Sequence, residues 1–197
     1  MNTVPINWII LAAILVIAMV VTGALVAARR RKESQRLRER FGPEYDRTVE
    51  HFHSRAKAEA ELKSRERRVE RLNITALEPA EATRFSQAWN ALQVRFVDNP
   101  KGVVVQADQL VRELMDKRGY PVGDFERRAT DISVDHPAVV ENYRAAQAIA
   151  ARDLRGEAST EELRKAVVHY RTLFDELLEV RAQDSERLEA RQIPVHS

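Results

Sequence analysis

The segment WIILAAILVIAMVVTGALVAA, residues 8–28, decides the architecture of this 197-residue chain. No charged residue occurs before Arg29, and residues 9–28 would form a helix about 30 Å long at about 1.5 Å per residue. That length matches the hydrocarbon core of a bilayer. The sequence therefore predicts one membrane-spanning helix, and we assign residues 1–28 to a transmembrane anchor.

Four consecutive cations follow the apolar segment, and we call them the basic collar: Arg29, Arg30, Arg31 and Lys32. Cations that flank a span remain on the cytoplasmic side, and each one near an anionic leaflet contributes about 1 kcal/mol of attraction. A cleavable signal peptide normally has a basic region before its apolar stretch, whereas residues 1–7 carry no charge. We therefore expect an uncleaved single-pass anchor in the cell (inner) membrane. The N-terminus should lie outside, the remainder in the cytoplasm, and the basic collar against the lipid.

The composition excludes several kinds of chemistry. The chain has no cysteine, which rules out disulfides, thiolate metal sites and thiol nucleophiles. Its net charge of +2 is divided unevenly, with 15 Lys and Arg against 9 Asp and Glu in residues 29–72, and 17 against 21 in residues 73–197. A nucleic-acid-binding domain is expected to present a basic face. The acidic balance of the distal part therefore argues against a nucleic-acid partner.

The segment after the collar predicts a helical stalk. Phe41-Gly42-Pro43 should end the first helix, because glycine favours a C-terminal cap and proline the first position of a new helix. A second helix is predicted from Pro43 to Leu72, charged on nearly every face in its second half. Such a helix is typical of a solvated stalk or of one strand of a coiled coil. We favour a basic stalk over residues 29–76, and self-association through it is a further option.

Beyond the stalk, apolar residues recur at steps of three and four, and no segment alternates with a period of two. The spacing predicts helices over residues 79–97, 100–118, 137–155 and 160–180, with a short helix around Phe125. A capping box at Ser159 and Glu162 should open the last one, and Asp135 or His136 should cap the one that begins at Pro137. We expect an all-α fold, in which the transmembrane helix and the charged stalk precede a soluble bundle of four to five helices over residues 77–181. Residues 182–197 should form a frayed tail.

Polar residues are densest in the loop and short helix before Pro137. Asp131, Ser133 and Asp135 have the spacing of the first ligands of a calcium loop, but His136 stands where that loop needs glycine, and Asn142 where it needs glutamate. Helix capping and surface hydrogen bonding are the favoured interpretation. We take six residues as the candidate interaction surface: Tyr120, Pro121, Asp124, Asp131, Asp135 and His136.

Other candidate sites are weaker. Glu50 and His53 form one Glu-x-x-His step, whereas metal-binding bundles need two. His169 lies beside the apolar stripe of the last helix, which indicates a half-buried histidine. The common hydrolase, phosphate-loop and zinc-protease motifs do not occur. We assign no catalytic, metal-binding or cofactor-binding residue and expect no enzyme.

Two blocks, RFGPEYDR at residues 40–47 and GYPVGDFERRATDISVDHPAVVENYR at residues 119–144, resemble a family of bacterial proteins without an established function. Its members have one N-terminal membrane helix and a helical remainder. The resemblance covers most of the chain after the anchor and implies this architecture, but no activity. It directs attention to the loops around Tyr120 to Pro137 as a binding surface.

Our leading hypothesis is a membrane-anchored module that binds another protein as an adaptor or assembly factor. The rival is a small-ligand binder or unrecognised enzyme that uses the polar cluster from Asp124 to His136. The rival predicts a cleft onto which these side chains converge.

Overall fold

A computed structural model of the protein describes residues 6–191, which form eight helices and no strand. The predicted all-α fold class is confirmed. The helices are α1 (Ile6–Phe41), α2 (Pro43–Phe52), α3 (Arg55–Val69), α4 (Pro79–Val94), α5 (Pro100–Lys117), α6 (Phe125–Asp135), α7 (Pro137–Leu154) and α8 (Thr160–Arg191). The chain divides into two compact units, Met1–Glu59 and Ala60–Ser197.

Helix α1 carries the apolar segment and is long and apolar enough to cross a membrane. The large apolar side chains between Trp8 and Val26 are exposed, and their exposed fraction ranges from 69% at Met19 to 44% at Val26. The hydroxyl of Thr22 donates a hydrogen bond to the Ala18 carbonyl at 2.7 Å. This polar group is therefore satisfied inside the helix, as an apolar environment requires.

The break between α1 and α2 lies where the sequence predicts it. Gly42 has a φ of 50°, and Pro43 occupies the first turn of α2. The Gly42 N–H donates to the Arg38 carbonyl at 2.9 Å, which closes the end of α1. A positive φ costs glycine little, so the chain reverses here without strain.

The single helix predicted from Pro43 to Leu72 is wrong, because the structure divides it into α2 and α3. His53 has a φ of 48° and a ψ of 23°, in the left-handed region, and so ends α2. The Ser54 carbonyl then accepts from the Ala58 N–H at 2.9 Å and starts α3. A left-handed residue other than glycine costs about 1–2 kcal/mol, and neither glycine nor proline marks this position in the sequence.

The core of the second unit is built from the stripes that the apolar spacing predicts on α4, α5, α7 and α8. The rings of Trp89 on α4 and Phe174 on α8 stack with centroids 4.6 Å apart. Each stripe faces inward because residues three and four apart lie on one side of a helix. The largest fully buried side chains of this core are Trp89, Tyr120, Tyr143, Tyr170, Phe85, Phe174, Leu114, Met115 and Ile132.

Residues 60–76 differ from the predicted solvated stalk, since they belong to the second unit. The side chains of Leu62, Arg65, Glu66 and Val69 are buried, and Leu72 and Ile74 pack against the core. Long charged side chains can bury their apolar stems while their end groups find polar partners. A charged pattern on this helix therefore does not mean that it is solvated.

Two helix ends also differ from the sequence prediction. Helix α4 ends at Val94 instead of Val97, and α8 continues past Val180 to Arg191. Good helix formers without glycine or proline fill residues 181–191, which explains the continuation. The rest of the predicted frayed tail, residues 192–197, lies outside the described residues.

The capping box that opens α8 is confirmed. The Ser159 N–H donates to Glu162 Oε2 at 2.9 Å, and the Glu162 N–H donates to Ser159 Oγ at 3.3 Å. Hydrogen bonds to the carboxylate from the Ser159 N–H and the Ser159 hydroxyl, with a contribution from Arg152, lower the pKa of Glu162 to about 2. The carboxylate is therefore charged at neutral pH, as the positive end of a helix favours.

Gly119, which follows α5, should tolerate no side chain. Its φ is 94°, and an added Cβ would lie 2.4 Å from the Asn73 carbonyl oxygen. We expect Gly119→Ala to lower the free energy of unfolding by about 3 kcal/mol, from backbone strain and a steric clash together. Gly156→Ala is the matched control, because its φ is 74° and nothing lies within 4 Å. It should cost about 1–2 kcal/mol. Urea denaturation followed by circular dichroism measures both, and equal losses would contradict the clash.

Candidate functional site

The polar cluster predicted as a functional site lies on the loop after α5, on α6 and at the start of α7. Asp124 begins α6, where its side chain accepts a hydrogen bond from the Arg127 N–H at 2.8 Å. An acidic residue at this position satisfies a free amide of the first turn. The capping interpretation is confirmed for Asp124, which remains exposed to solvent.

Asp131 is the buried centre of the cluster and has an exposed fraction of 0%. Its Oδ1 accepts from Arg68 Nε at 2.8 Å and lies 2.6 Å from Arg68 Nη2. Arg127 Nε lies 3.8 Å from Oδ2. Because burial of an unpaired carboxylate is costly, the nearby Arg68 and Arg127 compensate the burial of Asp131.

Asp131, Ser133 and Asp135 do not form a loop that could wrap a cation. They lie along α6, and the Ser133 hydroxyl donates to the Thr130 carbonyl at 2.7 Å. Within the described residues, no group of three or more histidine, aspartate and glutamate side chains is placed to hold a metal ion. The calcium-like spacing is therefore a feature of a helix here.

Tyr120 and Asp135 are the two predicted site residues that the structure brings together. The Tyr120 hydroxyl donates to Asp135 Oδ2 at 3.0 Å, and the tyrosine ring is buried. Burial, together with the nearby Asp135 carboxylate, raises the pKa of Tyr120 far above its usual value. The phenol therefore remains a hydrogen-bond donor at physiological pH.

His136 connects the start of α7 with α8. The imidazole is buried, and its Nδ1 lies 3.2 Å from Glu176 Oε1. The predicted side-chain cap of α7 by Asp135 or His136 is wrong, since no such hydrogen bond is formed. Each of the two side chains is held elsewhere, Asp135 by Tyr120 and His136 by Glu176.

The candidate interaction surface is therefore largely internal. Tyr120, Asp131 and His136 are buried and Pro121 is half-buried, while Asp124 and Asp135 are exposed. As a surface for a partner, the predicted set is reduced to Pro121, Asp124 and Asp135, and its role in binding stays a prediction. Tyr120 and Asp135 bind each other, and the other charged side chains of the set bind partners on α3, α6 and α8. These contacts join helices of the second unit.

Sequence analysis missed the buried arginines that complete this arrangement. Arg128 Nε donates to the Tyr143 hydroxyl at 2.9 Å, and its Nη1 donates to the Gly123 carbonyl. Arg118 Nη1 donates to the Leu177 carbonyl at 2.7 Å. Arginines in a charged helix are usually at the surface. The one available signal was the position of Arg118 at a helix C-terminus, where a cation is favoured.

A second unpredicted cluster lies in the first unit, where one carboxylate connects three helices. Glu59 Oε1 accepts from Ser34 Oγ at 2.6 Å, Tyr45 OH at 2.8 Å and Arg55 Nε at 3.0 Å. Burial of Glu59 alone would raise its pKa, but these three hydrogen bonds outweigh burial and lower it. The residues are up to 25 positions apart, so local spacing could not reveal the cluster.

The histidines noted in the sequence have ordinary environments. His51 and His53 are exposed, and the His51 ring contacts the edge of Phe52. His169 is half-buried, as the sequence indicates, with Nδ1 2.8 Å from Asn142 Oδ1. None of these contacts places a carboxylate beside an imidazole in the manner of a catalytic base.

The surface of the second unit does contain a groove between α4 and α5, of about 200 Å³. It is lined by Ala88, Leu92, Arg95, Gln106, Gln109, Leu110 and Glu113, none of which was a predicted site residue. Sequence analysis missed it because groove residues on a helix flank the apolar stripe and have a mixed composition. Their shared location depends on how two helices pack.

Fold and site together define an all-α protein with one N-terminal helix long and apolar enough to cross a membrane, followed by further helices. No protein-family model matches the chain, and no curated protein or solved structure matches it.

Substitution of Asp131 tests whether the stability of the fold requires its buried carboxylate. We expect Asp131→Ala to lower the free energy of unfolding by about 3 kcal/mol, because Arg68 loses its partner. Asp124→Ala, which removes only an exposed helix cap, should cost about 1 kcal/mol. Chemical denaturation measures both. A stability unchanged by Asp131→Ala would show that the carboxylate is not required by the fold.

Proposed function

We propose that this chain is a single-pass membrane protein whose helical unit binds another protein at the membrane surface, as an adaptor or assembly module. The observation that carries the proposal is the apolar segment of α1, which is not buried within the structure. Twelve large apolar side chains between Trp8 and Val26 are exposed. At about 1.5–3 kcal/mol for each buried side chain, transfer of this surface into lipid is favourable by on the order of 20 kcal/mol.

The basic collar supports a cytoplasmic location for the second unit. Arg29, Arg30, Arg31 and Lys32 are exposed, and among the described residues no carboxylate pairs with them. The next cations differ, since Arg36 pairs with Glu33 at 3.0 Å and Arg38 with Asp46 at 2.8 Å. The four collar charges are therefore free to contact lipid phosphates. The resemblance to a bacterial family with one membrane helix favours the inner membrane of a bacterium.

The adaptor role is favoured by the contacts of the candidate polar side chains in the second unit. These side chains bind other parts of the same chain and so hold the fold together. Exposed apolar side chains remain on the surface, with Val97 exposed by 87% and Leu154 by 84%. The Lys101–Asp153 ion pair at 3.6 Å joins the first turn of α5 to the end of α7, next to Leu154 in the sequence. Exposed apolar side chains of this kind are available to a partner protein.

Attachment to a membrane gives such a surface a physical purpose without catalysis. Confinement raises the effective concentration of the helical unit for partners in the same membrane, so a small surface can suffice. The rival function, a ligand-binding or catalytic cluster from Asp124 to His136, requires convergence of those side chains. Because they have separate partners, we do not carry it forward.

The orientation can be tested with a reporter fused after Ser197. We expect a fusion with alkaline phosphatase, which is active only outside the cytoplasm, to be inactive, and a fluorescent-protein fusion to be bright. Replacement of all four collar cations by glutamate should move part of the population to the opposite orientation. The matched control reverses four exposed cations farther from the span, Lys57, Arg67, Arg71 and Arg84, and should leave the orientation unchanged. An active phosphatase on the unaltered chain would contradict the cytoplasmic location.

The adaptor role can be tested by photo-crosslinking of the intact protein in its membrane. A photoreactive amino acid in place of Leu154 should capture a discrete second protein, because this apolar side chain is 84% exposed. The same amino acid in place of Glu141, which is exposed on α7, should capture none. Mass spectrometry of the crosslinked product identifies the partner. If neither Leu154 nor Val97 captures a protein other than the chain itself, the adaptor role is wrong.

A further inference from the structure

The groove between α4 and α5 has a simple construction. The two helices are consecutive and joined by residues 95–99, so they run antiparallel. Ala88, Leu92 and Leu110 form an apolar floor, and Gln106 and Gln109 contribute neutral polar side chains. The centre of the groove therefore carries no charge and can be covered without removing an ion from water.

The two charged residues of the groove lie at opposite ends. Arg95 directly follows α4, beside the turn, whereas Glu113 lies more than three turns into α5. Both are exposed. Arg95 Nε donates to the Ala91 carbonyl at 3.3 Å, and Glu113 Oε1 accepts from the neutral amide of Gln109 at 2.9 Å. Within the described residues neither of these two side chains forms an ion pair, so each can pair with an opposite charge from outside.

The helix spacing explains which side chains line the groove. Ala88, Leu92 and Arg95 are four and three residues apart and so share one face of α4, and Gln106, Gln109, Leu110 and Glu113 do the same on α5.

This distribution of charge is complementary to itself. Consider a two-fold axis that lies in the plane of contact and crosses the long direction of the groove at a right angle. A rotation by 180° about this axis exchanges the two ends of the groove. A second copy placed in this way would bring its Glu113 opposite Arg95, and its Arg95 opposite Glu113. The neutral centres would then face each other. This is the isologous arrangement of a two-fold dimer, in which each contact occurs twice.

We propose that the α4–α5 face binds a second copy of this chain in an antiparallel two-fold dimer with reciprocal Arg95–Glu113 ion pairs. Exposed ion pairs contribute about 0–1 kcal/mol each and the groove is small, so the dimer is weak in dilute solution. Confinement to a membrane would strengthen it by raising the effective concentration. The dimer goes beyond the adaptor function, and either can fail without the other.

Charge reversal tests the reciprocal pairing directly. Arg95→Glu places two glutamates opposite each other at both ends of the dimer, and Glu113→Arg places two arginines there. We expect either change alone to weaken association about tenfold, since two attractive contacts become repulsive. A mixture of the two variants should recover the affinity, because each copy then presents the charge that the other lacks. The double variant Arg95→Glu/Glu113→Arg should also associate with itself.

The measurement is energy transfer between donor-labelled and acceptor-labelled full-length chains in phosphatidylcholine vesicles. Because the sequence has no cysteine, a single cysteine added after Ser197 accepts either label. The matched controls, Arg67→Glu and Glu141→Arg, reverse exposed charges outside the groove and should leave the transfer unchanged. Circular dichroism verifies that every variant keeps its helix content.

Three results would overturn the dimer. The first is an unaltered chain whose energy transfer does not exceed the value expected for random proximity in the vesicle. The second is a single variant that associates as strongly as the unaltered chain. The third is a mixture that fails to recover, since self-association would then use the anchor or another face. Capture of a foreign protein at Leu154 would support the adaptor function in all three cases.

Discussion

The feature on which the rest of the structure depends is the exposed apolar segment of α1, whose contact with water is unfavourable. The side chains from Ile10 to Val26 find no cover within the structure, while the charged residues of the chain all begin at Arg29. A bilayer removes the apolar surface from water and leaves the backbone hydrogen bonds of the helix intact. Outside this segment the chain is rich in charge, and the second unit has an aromatic and aliphatic core of its own.

The second unit is held by two different kinds of interaction. Its aromatic and aliphatic core follows from apolar spacing, as in the Trp89–Phe174 stack. Around that core, buried charged side chains have specific partners: Asp131 Oδ1 accepts from Arg68, and Arg128 donates to the Tyr143 hydroxyl. Truncation of one partner of such a pair is costly, because it leaves the other partner buried without compensation. The buried polar residues that first suggested a functional site therefore have a role in holding the second unit together.

The parts of the structure that sequence predicts well are those fixed by local spacing. The stripe from Phe85 to Leu92, the break at Gly42 and the capping box at Ser159 each depend on residues within about one turn of each other. The parts that it misses depend on distance along the chain. Arg68 and Asp131 are 63 positions apart, and the three donors to Glu59 come from three different helices. Their side chains are ordinary charged residues in sequence, and only packing decides which of them are buried.

The break at His53 shows a related limit. The sequence from Pro43 to Leu72 is compatible with one helix. The chain nevertheless turns at His53, which adopts an unfavourable left-handed conformation. The reversal allows Tyr45 on α2 and Glu59 on α3 to meet Ser34 on α1. Three hydrogen bonds to one carboxylate, each stronger than usual because the acceptor is charged, can offset strain of about 1–2 kcal/mol. His53 adopts an unfavourable backbone conformation because the hydrogen bonds to Glu59 contribute more free energy than the left-handed conformation costs.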